Sequence, residues 1–160
     1  MGMMYRAVFE DIAVSAAQDL FEILAPADAV VKVHEVYVGQ SSDYGDASAE
    51  GLAISIVRGE GSVTSGSGGG SVTPAPQEKG FAAAGSVVER NNTTKMVVGT
   101  GTLVVVHNDA FNIQSGWQYI PTPEGRPVIS PGDRLTVELV GAPADAITMS
   151  ATVVFEEIGG

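Results

Sequence analysis

Residues 111–139 read F-N-I-Q-S-G-W-Q-Y-I-P-T-P-E-G-R-P-V-I-S-P-G-D-R-L-T-V-E-L, and residues 142–157 read A-P-A-D-A-I-T-M-S-A-T-V-V-F-E-E. The first stretch is an aromatic loop stiffened by Pro121, Pro123 and Pro127 that runs into an alternating segment. There Leu135, Val137 and Leu139 share one face, and Arg134, Thr136 and Glu138 share the other. The second stretch repeats the pattern, with Ile147, Met149, Ala151, Val153 and Phe155 opposed to Thr148, Ser150, Thr152 and Glu156. A repeat of two is the signature of strands with one buried and one wet face.

The same alternation, bounded by clusters of Gly, Pro, Asp and Ser, predicts further strands along the chain. They fall at 5–10, 12–16, 20–24, 30–38, 52–57, 86–90 and 102–107, before those at 134–140 and 147–156. Residues 12–24 also fit a helix capped by Asp11, with Ile12, Ala16, Leu20, Phe21 and Leu24 on one side. Strands are the expected state there because β patterning flanks the segment on both sides. The expectation is an all-β, single-domain antiparallel sandwich, with a jelly roll as its most natural form.

The 111–157 stretch resembles small β-sandwich structural proteins of tailed bacteriophages, some of the capsid decoration or cement type. The resemblance extends to D-L-F-E-I at 19–23, His34-Glu35, G-Q-S-S at 39–42, T-P-A-P at 73–76 and E-R-N-N-T-T at 89–94. None of these blocks is a chemical motif, so the likeness speaks to fold and setting rather than to activity. It implies a non-enzymatic virion protein on the capsid surface, made in the host cytoplasm. Its partners would be the major capsid protein and further copies of itself, as a homodimer or homotrimer.

Composition sets the outer bounds. A chain of 160 residues that is 44% apolar and 17% charged is one domain's worth of sequence and too apolar to be disordered. It lacks the run of about 20 apolar residues that a membrane helix needs, and no membrane partner is expected. With no cysteine there are no disulfides or thiolate metal sites. The start, Met1-Gly2-Met3-Met4-Tyr5-Arg6, shows no secretory pattern, which leaves the two glycosylation sequons within residues 91–94 idle. The net charge is -11, with ten acids against three bases in residues 1–60 and nine against five in residues 61–160. Such a surface repels phosphate backbones, so direct nucleic-acid binding is not expected.

Catalytic patterns are missing. His34 and His107 each lack a second histidine or cysteine at metal spacing, and neither Gly-x-Ser-x-Gly nor His-Glu-x-x-His occurs. Asp43, Asp46 and Glu50 form an acidic cluster whose spacing does not match a calcium-binding EF-hand loop, and acidic turns are common as solvated connectors. Glu156 and Glu157 are adjacent on a strand, so they point to opposite faces and cannot flank one bond. No catalytic residue, metal or cofactor is assigned.

Three segments remain as candidate contact surfaces. The first is the amino-terminal arm with Met3, Met4, Tyr5 and Arg6, read as a mobile arm or an edge strand. The second is the Gly/Ser-rich stretch 59–80, containing S-G-S-G-G-G-S at 65–71, read as a long mobile loop; it lacks the Gly-Lys-Ser/Thr ending of a phosphate loop. The third is the Trp117 loop, where Trp117 and Tyr119 either plug one end of the sandwich or anchor an interface, and Arg126 is placed to meet an acid or stay solvated. Two function classes follow: the virion structural protein, and a ligand-binding sandwich such as a carbohydrate-binding or tail-fibre adhesin module. A jelly-roll hydrolase ranks last for want of a histidine set.

If no metal supports the fold, a strong chelator leaves the thermal unfolding midpoint unchanged, because only a ligand of the native state raises it. A drop of several degrees in a melting scan would instead return attention to Asp43, Asp46 and Glu50.

Overall fold

The structure, a computed structural model, describes residues 2–42, 44–45 and 50–159. In chain order the strands are β1 (Met3–Val14), β2 (Gln18–Leu24), β3 (Ala29–Gln40), β4 (Gly51–Glu60), β5 (Val63–Thr64), β6 (Gly70–Val72) and β7 (Ala75–Pro76). They continue as β8 (Val87–Asn92), β9 (Val97–Val98), β10 (Thr102–Asn112), β11 (Trp117–Tyr119), β12 (Val128–Ile129), β13 (Arg134–Leu139) and β14 (Ile147–Gly159), with one short 3-10 turn at Pro123–Gly125. Two antiparallel sheets pack against each other in an all-β sandwich. Sheet A runs β11-β3-β14-β1-β7, with β12 also on β3; sheet B runs β10-β4-β13-β2-β8-β6; β5 and β9 form a small third sheet.

The first four strands alternate between the sheets, and the last two enter their middles: β14 lies between β3 and β1, and β13 between β4 and β2. The two alternating stretches, 134–139 and 147–156, are therefore the centres of the two sheets. Leu135, Val137 and Leu139 face Ile147, Met149, Ala151, Val153 and Phe155 in one buried cluster, as the period of two requires. Phe9 on β1 meets Phe21 on β2 across the two layers at 5.2 Å between ring centres, while Tyr5 and Phe155 stack side by side within sheet A at 5.8 Å. The segment that also fitted a helix is extended, because β2 is needed between β13 and β8.

Three expectations change. The strands read at 5–10 and 12–16 are a single strand, β1, with a bulge between Phe9 and Ile12 in its pairing with β14. Asp11 sits there at φ 49°, a left-handed conformation that Asp tolerates better than most side chains and that lets the strand shift register without ending.

The amino-terminal residues are neither a mobile arm nor an edge. β1 is held between β14 and β7, and Tyr5 is fully buried, its hydroxyl donating to the Ala82 carbonyl at 3.1 Å. Met3 packs against the core, while Met4 and Arg6 alternate onto the outer face. Deleting residues 2–5 would therefore remove core side chains rather than an appendage.

The third change is the 59–80 stretch, which carries β5, β6 and β7 and lies on the sandwich. β6 pairs with β8, β7 pairs with β1, and Ser67 bridges Thr94. The glycines serve close approach rather than slack: a Cβ at Gly66 would stand 2.6 Å from the Thr94 carbonyl oxygen, and one at Gly69 would collide with the Arg90 carbonyl. Gly69→Ala is accordingly expected to cost about 1–3 kcal/mol by forcing the two backbones apart. Urea unfolding checks this, since in a free linker the same change is neutral or stabilising.

Candidate binding face

The two outer faces of the sandwich have different fates. That of sheet B is roofed by residues 61–69 and 93–101, and the roof is held by buried carboxyl groups on the strand beneath it. Glu22, on β2, is almost fully buried and accepts from Ser65 Oγ at 2.7 Å, the Gly66 amide at 2.8 Å and Asn92 Nδ2 at 3.2 Å, while Arg134 Nη1 approaches at 2.6 Å. Asp19, also on β2, accepts the Met96 amide at 2.6 Å, and Lys95 pairs with Glu138 on the neighbouring strand. Met96 then seats over Gly59, where a Cβ would stand 2.8 Å from its sulfur.

A third carboxylate works on the opposite sheet. Glu157, buried on β14, accepts the amides of Gly85 and Ser86 at 3.1 and 2.7 Å, holding the approach to β8. Its neighbour Glu156 faces out and meets His34 Nε2 at 3.0 Å, so the pair does point to opposite faces. His34 is thereby a sheet-face residue.

The outer face of sheet A carries no such roof. Its pleat sets Val8, Thr152, Tyr37 and Gln118 side by side in one row, and Arg6, Val154 and Glu35 in the next. Val8 is about half exposed, Tyr37 donates to Glu35 Oε2 at 2.9 Å, and Arg6 Nε donates to Gln77 at 2.8 Å. Toward the 112–118 turn the face dips into an open concavity of about 670 Å³. Its walls combine apolar surface from Val8 and Tyr44 with amide and hydroxyl groups from Gln114, Gln118, Ser150 and Thr152. This is a surface for contact, with hydrogen-bonding groups around an apolar strip.

Trp117 and Tyr119 are buried, so within a single chain they serve as the plug and not as an exposed anchor. They lie on β11, at the open side of the sandwich facing β10. His107 packs on Tyr119 at 4.6 Å and on Trp117 at 6.0 Å between ring centres, and Trp117 Nε1 donates to Asp109 Oδ2 at 3.1 Å. That bond holds the Asp109 carboxyl below the usual carboxylate range. Arg126 is half-buried and makes no ion pair among the described residues.

Of the segments nominated from sequence, Met4 and Arg6 reach the open face of sheet A, whereas Met3, Tyr5, Trp117 and Tyr119 go inward. Sequence reasoning missed Val8, Tyr37 and Gln118, although the alternation of β1 and β3 already placed Val8 and Tyr37 on a wet face. Asp43 and Asp46 lie outside the described residues; Glu50 Oε1 accepts the Ala144 amide at 2.6 Å. Among the described residues no group of three or more His, Cys, Asp or Glu side chains is placed to hold a metal ion. Compared with protein families, curated proteins and solved structures, the chain matches none.

Asp19 also makes the fold sensitive to pH. Burial, then the nearby carboxylates Glu138 and Glu22, raise its pKa from the ordinary 3.8 to about 7, against the opposing pull of the Met96 amide and Lys95. Between these values the unfolded chain has released the proton and the folded chain retains it. Folding then takes up a proton, so stability falls as pH rises through this window and levels off above about 7. The slope from this one group approaches about 1.4 kcal/mol per pH unit. Asp19→Asn, which keeps an acceptor for Met96, is expected to flatten that slope in urea titrations between pH 4 and 8.

Proposed function

We propose that this protein is a non-enzymatic virion structural protein, a decoration or cement protein that binds the major capsid protein of a tailed phage and reinforces the shell. The observation that carries the reading is the unequal treatment of the two outer faces: one is roofed by the chain's own polar pins, and the other is left open with Met4, Arg6, Val8 and Tyr37 on it. The resemblance of residues 111–157 to phage structural proteins supports the setting. We also read the order β1-β14-β3-β11 beside β2-β13-β4-β10 as a jelly roll, an arrangement common in capsid and lectin domains.

Attachment through a β face needs no moving parts. Val8 and Tyr37 supply the apolar centre, Arg6, Glu35 and Gln118 the polar rim, and the acidic remainder favours a basic or mixed capsid surface. Repeated sites on a shell would then multiply a modest single-site affinity. A second reading, a carbohydrate-binding sandwich, is favoured by one feature, the concavity beside Tyr37 and Tyr44 with its amide and hydroxyl lining.

Co-sedimentation with bare shells tests the first reading. Val8→Asp together with Tyr37→Ala is expected to weaken attachment about tenfold or more, as loss of central contacts does, without changing the thermal midpoint. Equal sedimentation of both proteins would sink it, and glycan-dependent protection of Tyr37 fluorescence would favour the second reading.

A further inference from the structure

A sandwich has four sheet edges, and here three of them are blunted. Sheet A ends on one side in β7, two residues including Pro76 that cover Tyr5 and Arg6 of β1, beyond which β1 carries the exposed acids Glu10 and Asp11 and its bulge, and on the other side in the short strands β11 and β12, separated by Pro121, Pro123 and Pro127. Sheet B ends on one side in β6, three residues entered through glycines. Short strands and prolines at an edge are the ordinary means of preventing strand addition.

The fourth edge is β10, eleven residues long, with no proline and no lysine. It pairs with β4 and with no other strand of the sheet, so one of its two sides presents unmatched amides and carbonyls over a span of about 35 Å. Its apolar run Leu103-Val104-Val105-Val106 includes Val105, about 60% exposed. β9 lies against its start and adds Val97 and Val98, both about half exposed.

We propose that β10 is a self-association edge, at which two copies of this chain pair antiparallel about a two-fold axis near Val105 and join their B sheets into one. Antiparallel pairing of identical strands is self-complementary, and a two-fold contact closes at two copies. Charge points to a second copy as the occupant. In a chain of net charge -11, like surfaces repel, yet residues 90–108 contain no Asp or Glu and hold Arg90 and Lys95. Glu60, opposite Thr102, is paired with Arg58 at 2.6 Å. The β10 edge is thus a surface on which two acidic molecules meet without opposing carboxylates, and it buries Val105, Val97 and Val98 as they do so. The pairing leaves the outer face of sheet A free, and it holds whether or not that face binds a shell.

Light scattering and sedimentation equilibrium of the purified full chain test this from 1 to 200 µM. The expected result is a monomer–dimer equilibrium whose dissociation constant rises at least tenfold in Val105→Lys and is unchanged in Val8→Lys on the other sheet. Amide exchange on the unaltered protein gives an independent readout should Val105→Lys fail to fold: the edge-facing amides of residues 102–108 exchange more slowly at high concentration than at low. A monomer throughout the range, a dimer indifferent to Val105→Lys, a dimer broken by Val8→Lys, or exchange at 102–108 independent of concentration would each overturn the proposal.

Discussion

Three buried carboxylates hold the architecture beyond the core. A carboxylate taken out of water must recover its hydrogen bonds inside the protein, and the penalty for failing is several kcal/mol. Glu22 and Glu157 recover theirs from the long excursion between β4 and β10, through the amides of Gly66, Gly85 and Ser86, whereas Asp19 accepts only the Met96 amide on Oδ2, its buried Oδ1 stays unmatched among the described residues, and it holds its proton to a higher pH instead. The dependence runs both ways. Without the excursion the acids are stranded, and without the acids a segment rich in Gly and Ser has little apolar surface to keep it down.

That constraint sorts the surfaces. Because Glu22 and Asp19 lie on β2, its sheet is the one that is roofed, and the outer face of β1, β14 and β3 stays available to other molecules. The same excursion supplies β6, the short strand that ends one edge of sheet B, and β7, which covers Tyr5 and Arg6 at one edge of sheet A, while β11 and β12 with their prolines blunt the other edge of sheet A. What remains open, one face and one edge, lies on different sheets, so a molecule could be held at both together. Asp19 adds a condition: its burial makes the roofed side most secure toward lower pH.

His107, Asp109, Trp117 and Tyr119 illustrate how an arrangement with the residue types of an active site does structural work. The indole stacks with the Tyr119 ring, the imidazole packs tilted against both at the gap between β11 and β10, and the carboxylate satisfies the indole N–H that burial would otherwise leave unmatched. The cluster fills the side of the sandwich where β11 of one sheet faces β10 of the other.

The sequence by itself determined the all-β class and the buried faces of the central strands, because alternation within one strand is a local property: Val137, Val153 and Phe155 point inward whatever their neighbours are. Only the tertiary structure decided the rest. Nothing local marks Glu22 and Asp19 as buried acids; the roof brings Gly66 and Met96 to them from more than 40 residues away. Gly66 and Gly69 read as slack until Thr94 and Arg90 crowd them, and the Met3–Arg6 segment reads equally as an arm or an edge strand until β14 and β7 enclose it. Val8 and Tyr37 were legible as wet-face residues, but their place in one row depends on the registers of β1, β14 and β3. Pairing between strands distant in sequence is set by the sum of many contacts across the sandwich, and no short stretch of chain encodes that sum.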